Sequence, residues 1–216
     1  MLQFGRIESN MSDEQRLIVG ISGASGVIYG VRMLETLRDM PIETHLVISK
    51  AAEVTLAYET NLKITAVREL ADVVYPEADI AAAISSGSFK TLGMVIAPCS
   101  IRSMSEIATG VTASLLTRAA DVVLKERRRL ILMVRETPLH TGHLRTMTAL
   151  SEMGAIIAPP LPALYTKPES IDDVINHSVG RVLDLFDIDT GKVRRWGEPA
   201  TDGRKPLRAV RRKKSN

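Results

Sequence analysis

The chain has 216 residues, 45% of them hydrophobic, and its 28 Lys and Arg against 25 Asp and Glu give a net charge of +3 at pH 7. This length and apolar content fit one compact domain with a real core. No apolar run reaches the roughly 18 residues of a membrane helix, and a single cysteine, Cys99, excludes an intrachain disulfide.

Residues 1–15 read as a flexible lead-in, and they lack the apolar core of a secretory signal, which points to the cytoplasm. Leu17 to Ile21 reads as a buried strand, followed by a turn with glycines at 23 and 26. Val27 to Arg38 has helical spacing. Such a strand, glycine turn and helix present backbone amides and a helix N-terminus, which favour an anion. The pattern is neither G-x-G-x-x-G nor a Walker sequence, and Ser49-Lys50 stands where a dinucleotide site places an acid. A mononucleotide phosphate and a turn with no ligand are the two readings left open.

Thr44 to Ile48 is the second predicted strand, and Ala51 to Glu59 continues as a helix. Leu70 to Ala83 reads as short helix with loop, and Ser85 to Ser88 as a loop of small residues. Gly93 to Ala97 is a third strand closed by Pro98, with helices predicted over Ser100 to Ala108 and Ala113 to Glu126. Leu130 to Val134 is a fourth strand, Leu139 to Glu152 a helix, and Ala155 to Ala158 a fifth strand before a proline-rich loop. Ile171 to Phe186 is an amphipathic helix, with Ser170 and Asp173 as its capping box. The tail, residues 198–216, reads as disordered. Its residues 201–216 carry seven Lys or Arg against Asp202, which leaves −3 for residues 1–200. The body is therefore no basic nucleic-acid surface, and nucleic acid is not an expected partner.

Strands alternating with helices predict a single three-layer αβα domain with a mostly parallel sheet, Rossmann-like or flavodoxin-like. Such sheets bind ligands beyond the carboxyl ends of their strands. Those ends carry Gly23, Ala24 and Ser25; Ser49; Ser100, Arg102 and Ser103; Arg135 and Glu136; and Tyr165 with Lys167. Hydroxyls, helix-terminal amides and arginine are what a phosphate needs. Any one serine is equally a helix cap. Arg118 and Lys125 share one helix face, with Asp121 as an ordinary i,i+4 partner for the lysine. Lys125 to Arg129 otherwise reads as a charged helix end. Glu136 is either paired to Arg135 or free for proton transfer. Cys99 reads as a core residue. His140 and His143 carry no carboxylate ligand motif, so no metal is expected.

The segments Gly20-Ile-Ser-Gly-Ala-Ser-Gly26, Ile48-Ser-Lys-Ala-Ala52, Ser86-Gly-Ser88, Pro98-Cys-Ser100, Leu116 to Arg128, Arg135-Glu-Thr-Pro138 and Arg195-Trp-Gly197 resemble the flavin prenyltransferases. The resemblance covers residues 16–197. It implies transfer of a dimethylallyl group from dimethylallyl monophosphate to reduced FMN, without a metal, to build a fourth flavin ring for a partner decarboxylase. It implies an FMN site of Gly23, Ala24, Ser25, Ser49, Ser100, Ile101, Arg102, Ser103 and Arg135. The prenyl phosphate would meet Ser86, Gly87, Arg118, Lys125, Tyr165, Arg181 and Trp196. Ser25, Glu59, Lys125 and Glu136 would be catalytic, and the protein a dodecamer. Arg129 stands where similar proteins often have proline, and the basic tail exceeds the usual length. A flavin-dependent cysteine decarboxylase is the nearest alternative, but Val27 to Arg38 holds no histidine and Pro98 to Ser103 no asparagine. A non-enzymatic FMN carrier is the other.

Overall fold

A computed structural model describes residues 15–191 and 193–195. The lead-in and the basic tail assigned from the sequence lie outside them, apart from Gln15. The described chain falls into two compact units, divided after Pro160.

In the first unit, β1 (Gln15–Ile21), β2 (Ile42–Ile48), β3 (Val73–Tyr75), β4 (Gly93–Cys99), β5 (Arg129–Val134) and β6 (Ile156–Ile157) form one sheet. All pairings are parallel, in the order β3-β2-β1-β4-β5-β6. The central strands β1 and β4 are apolar along almost their whole length because both of their faces are covered. Ile18, Met94, Ile96, Leu130 and Leu132 share one core with α4 (Ile101–Thr109), α5 (Leu115–Lys125) and Leu150 of α6 (Thr141–Glu152). The opposite face receives α1 (Ile28–Leu37), whose Val31, Met33, Leu34 and Leu37 are buried. α2 (Lys50–Glu59) and α3 (Ile64–Arg68) lie in the connection from β2 to β3.

Two predicted boundaries move. Pro98 does not close its strand: β4 runs on to Cys99, and the register with β5 shifts between Ile96 and Cys99. A proline, lacking an N–H, is tolerated at such an irregularity. β3 lies within the stretch expected as short helix with loop; it is a three-residue edge strand, registered by His45 opposite Val73 and Val47 opposite Tyr75.

The second unit contains a 3₁₀ turn (Leu164–Thr166) and α7 (Ile171–Asp184). The predicted capping box is present there. Ser170 Oγ accepts from the Asp173 amide, and the Asp173 carboxylate accepts from the Ser170 amide. No described helix is long and apolar enough to cross a membrane.

Candidate active site

The strand order reverses between β1 and β4, and the carboxyl ends of these two strands define the crevice where such sheets bind ligands. Ser22, absent from the predicted site, closes this junction. Its amide and hydroxyl both donate to Pro98 O, at 3.2 and 2.8 Å, and its Oγ accepts from the Ser100 amide at 2.8 Å. The Ser49 amide donates to Ile21 O at 3.0 Å, so β2 ends level with β1.

Beyond these ends lies a cleft of about 480 Å³, within the usual range for small-molecule sites. Gly23, Ser49, Ser100, Arg102 and Ser103 of the predicted set line it, together with Lys50, Glu77, Glu106 and Ser114, which the sequence did not single out. Ser49 and Ser100 are also helix caps: their hydroxyls accept from Ala52 N and Ser103 N. The cap and ligand readings of these serines thus describe the same atoms. Gly23 is required where the turn meets α2, since a Cβ there would lie 2.4 Å from Ala51 Cβ. Arg102 extends into solvent and pairs with Glu106 at 2.8 Å. Ala24 is buried, Ser25 exposed and Ile101 half-buried; none of the three lines the cleft.

Two helix N-termini at this edge already hold carboxylates. Glu59 accepts from Gly26 N at 2.8 Å and Val27 N at 3.1 Å, at the start of α1. Glu77 accepts from Lys50 N at 3.0 Å, at the start of α2. The α1 terminus, for which the sequence left a phosphate and no ligand as the two readings, is therefore neutralised from within the chain. Both carboxylates come from residues about thirty positions away, which no local pattern reveals.

A second group gathers where α5 ends. Gly87 approaches Lys125: a Cβ on it would lie 2.9 Å from Lys125 Nζ. The ion pair expected between Asp121 and Lys125 does not form. Asp121 takes Arg118 at 2.8 Å, and Lys125 takes Glu126 at 2.6 Å. Arg118 lies about two turns before Lys125 on the same helix.

Glu136 is exposed and accepts from its neighbour's amide, Thr137 N, at 3.0 Å. Among the described residues it makes no ion pair with Arg135, so the structural-pair alternative falls. Arg135 is tied through its amide to Cys99 O at 3.1 Å. Burial raises the pKa of Tyr29, and the Arg135 charge nearby partly opposes that rise. Burial pushes the Cys99 thiol up to about 12, which fits a core residue and not a nucleophile. His140 caps α6 through Nδ1, accepting from Gly142 N and His143 N. Among the described residues no three His, Cys, Asp or Glu side chains cluster as a metal site.

In the second unit, Tyr165 Oη lies 3.4 Å from His177 Nε2 and also 3.4 Å from Arg194 O. Arg181 pairs with Asp184, which Arg195 also reaches at 3.0 Å. Trp196 lies outside the described residues.

With this geometry in place, comparisons with known proteins agree on one family. A flavoprotein family model matches residues 6–183. The flavin prenyltransferase UbiX of Escherichia coli strain K12 is 65% identical over 175 residues, covering 81% of this chain and 93% of that protein. The crystal structure of AnUbiX (PadA1) in complex with FMN and dimethylallyl pyrophosphate matches with a TM-score of 0.84 at 50% identity, over 86% of this chain and 98% of that one. A dodecameric FMN-dependent Ubix-like decarboxylase from Escherichia coli O157:H7 gives 0.83 at 50% identity, over 84% and 99%. The chain belongs to the flavoprotein family and, within it, to the flavin prenyltransferases.

Proposed function

We infer that the protein transfers a dimethylallyl group from dimethylallyl monophosphate to reduced FMN, making prenylated FMN for a partner decarboxylase. The observation that carries this reading is the cleft at the β1/β4 junction, in a chain 65% identical to a flavin prenyltransferase. Residues 16–197 form the catalytic part, the enzyme works in the cytoplasm, and it assembles as a dodecamer like its relative.

The residues present fit an FMN. The cleft offers the hydroxyls of Ser49, Ser100 and Ser103, the first amides of α4 and one guanidinium, Arg102. Gly23, Ala24, Ser25, Ile101 and Arg135 complete the assigned set. Arg102, now paired with Glu106, is the guanidinium of the cleft that would meet the FMN phosphate. When bound, the reduced flavin supplies electron-rich ring atoms as nucleophile.

The chain's own residues act on the other partner. Dimethylallyl monophosphate ionises only when negative charge on its departing phosphate is neutralised. Lys125 and Arg118 on α5 supply that charge, and Gly87 lies beside Lys125 with Ser86 next to it in the loop. The family resemblance, and not the geometry, also assigns donor-phosphate roles to Arg181, Tyr165 and Trp196. Glu136, exposed and unpaired by Arg135, is suited to hold a proton for the phosphate, with Ser25 as relay. Glu59 holds the amides of Gly26 and Val27 and so steadies the turn that carries Ser25.

The test is anaerobic. Protein, reduced FMN and dimethylallyl monophosphate are mixed, and the flavin mass is read. A gain of one five-carbon unit is expected, and Glu136→Gln should slow it. FMN that binds but keeps its mass with both the monophosphate and the diphosphate would overturn the reading in favour of a carrier or a cysteine decarboxylase.

A further inference from the structure

The charged run Lys125-Glu-Arg-Arg-Arg129 has one member that faces inward. Arg127 and Arg129 are exposed, but Arg128 is half-buried. Its Nη2 donates to Gly87 O at 2.7 Å and its Nη1 to Phe89 O at 2.6 Å. One planar guanidinium thus spans two carbonyls of the Ser86–Phe89 loop and fixes their spacing, as an ammonium cannot. Arg128 is itself placed by the turn after α5, where its amide donates to Val123 O at 2.9 Å.

The loop is also held from within and from the sheet. Ser86 Oγ lies 2.9 Å from Ser88 Oγ, and the Phe89 amide donates to Ser86 O at 3.2 Å. The Phe89 ring stands edge-on to His45 at 5.1 Å, under the Arg16 guanidinium at 5.0 Å. Phe89 therefore anchors one end while Arg128 sets the position of the tip. The tip matters because Gly87 touches the end of α5. A side chain there would meet Glu126 Oε1 at 2.1 Å and Lys125 Nζ at 2.9 Å.

We propose that Arg128 is a positioning residue for the donor-phosphate site: it holds the Ser86–Ser88 turn against Lys125, so that the turn and the ammonium meet one phosphate. The proposal rests on the prenyltransferase reading for the identity of that phosphate. Arg128 itself touches neither donor nor flavin.

Arg128→Lys keeps the charge but cannot bridge both carbonyls; Arg128→Gln serves as a second variant. Amide hydrogen exchange at Ser88 and Phe89 reads the loop without turnover. In a folded variant it should quicken about tenfold, and the KM for dimethylallyl monophosphate should rise about tenfold, as for a lost charge-assisted hydrogen bond. FMN affinity and kcat should stay within about threefold, a change below the size of one such bond. Unchanged exchange, or faster exchange with an unchanged KM, would overturn the proposal. So would failure of both variants to fold, since Arg128 would then hold the fold and not the site. If the parent protein does not prenylate FMN, the functional reading falls, while the exchange result still decides what Arg128 does to the loop.

Discussion

His45 shows how a residue distant from the cleft is tuned by its surroundings. It is 2% exposed, on β2, with Nδ1 3.0 Å from Tyr75 Oη. Its Nε2 lies 2.7 Å from the Glu43 carboxylate, yet outside hydrogen-bonding geometry. Phe89 packs edge-on to the ring, and the charges of Arg16 and Asp72 both act on it. Burial lowers its pKa below the ordinary 6.5; Glu43 opposes that shift and Arg16 adds to it. The folded protein thus holds this proton less tightly than the unfolded chain. The stability contribution is complete above pH about 6.5 and is lost as the pH falls from there toward the folded pKa. The melting temperature should therefore drop between about pH 7.5 and about pH 5.5, and His45→Gln should flatten that slope. An equal slope in the variant would place the titrating group elsewhere. Asp72 contributes in a separate, acidic window. The Thr44 amide holds its carboxyl below the usual 3.8, so that support fades only as the pH falls below that value.

Among the elements, α5 bears the two cations proposed to meet the donor phosphate, Arg118 and Lys125. Its start is fixed by a capping box. Ser114 Oγ accepts from Thr117 N, and the Thr117 side chain accepts from Ser114 N. This box is harder to see than Ser170/Asp173 of α7, since its fourth residue is a threonine and not an acid. Ser114→Ala should cost about 1 kcal/mol of stability, read as a lower urea midpoint at an unchanged slope. A loss below about 0.3 kcal/mol would mean that packing alone places the helix start. β3 escaped prediction for a related reason. Three residues contain barely one alternation, and the strand is specified by pairing to β2 and by Asp72, which accepts from Thr44 N and Thr44 Oγ1 at 2.7 and 2.8 Å.

At the scale of the molecule, charge and catalysis separate along the chain. The family match ends at residue 183, and the last matching segment is Arg195-Trp-Gly197. Removing residues 201–216 takes the net charge from +3 to −3 without touching an assigned site residue. The shortened protein should still bind FMN and prenylate it, checked by the flavin mass, while losing its retention on a cation exchanger. Loss of FMN binding on truncation would give the tail a part in the site.

The sequence by itself determined the αβα class, most of the elements and the edge that bears the cleft. In a parallel sheet every strand points the same way, so residues that follow strands share an edge whatever the strand order. That is why Gly23, Ser49, Ser100, Arg102 and Ser103 could be grouped before any fold was known, and why they line one cleft. Tertiary structure alone decided the strand order, the closure of the β1/β4 junction by Ser22, and the occupation of two helix N-termini by Glu59 and Glu77. It also separated Arg128 from its exposed neighbours and gave Asp121 to Arg118 instead of Lys125. These outcomes depend on which groups the packed chain brings within about 3 Å of each other. A charge or hydroxyl has many possible partners along a sequence, and only folding selects one.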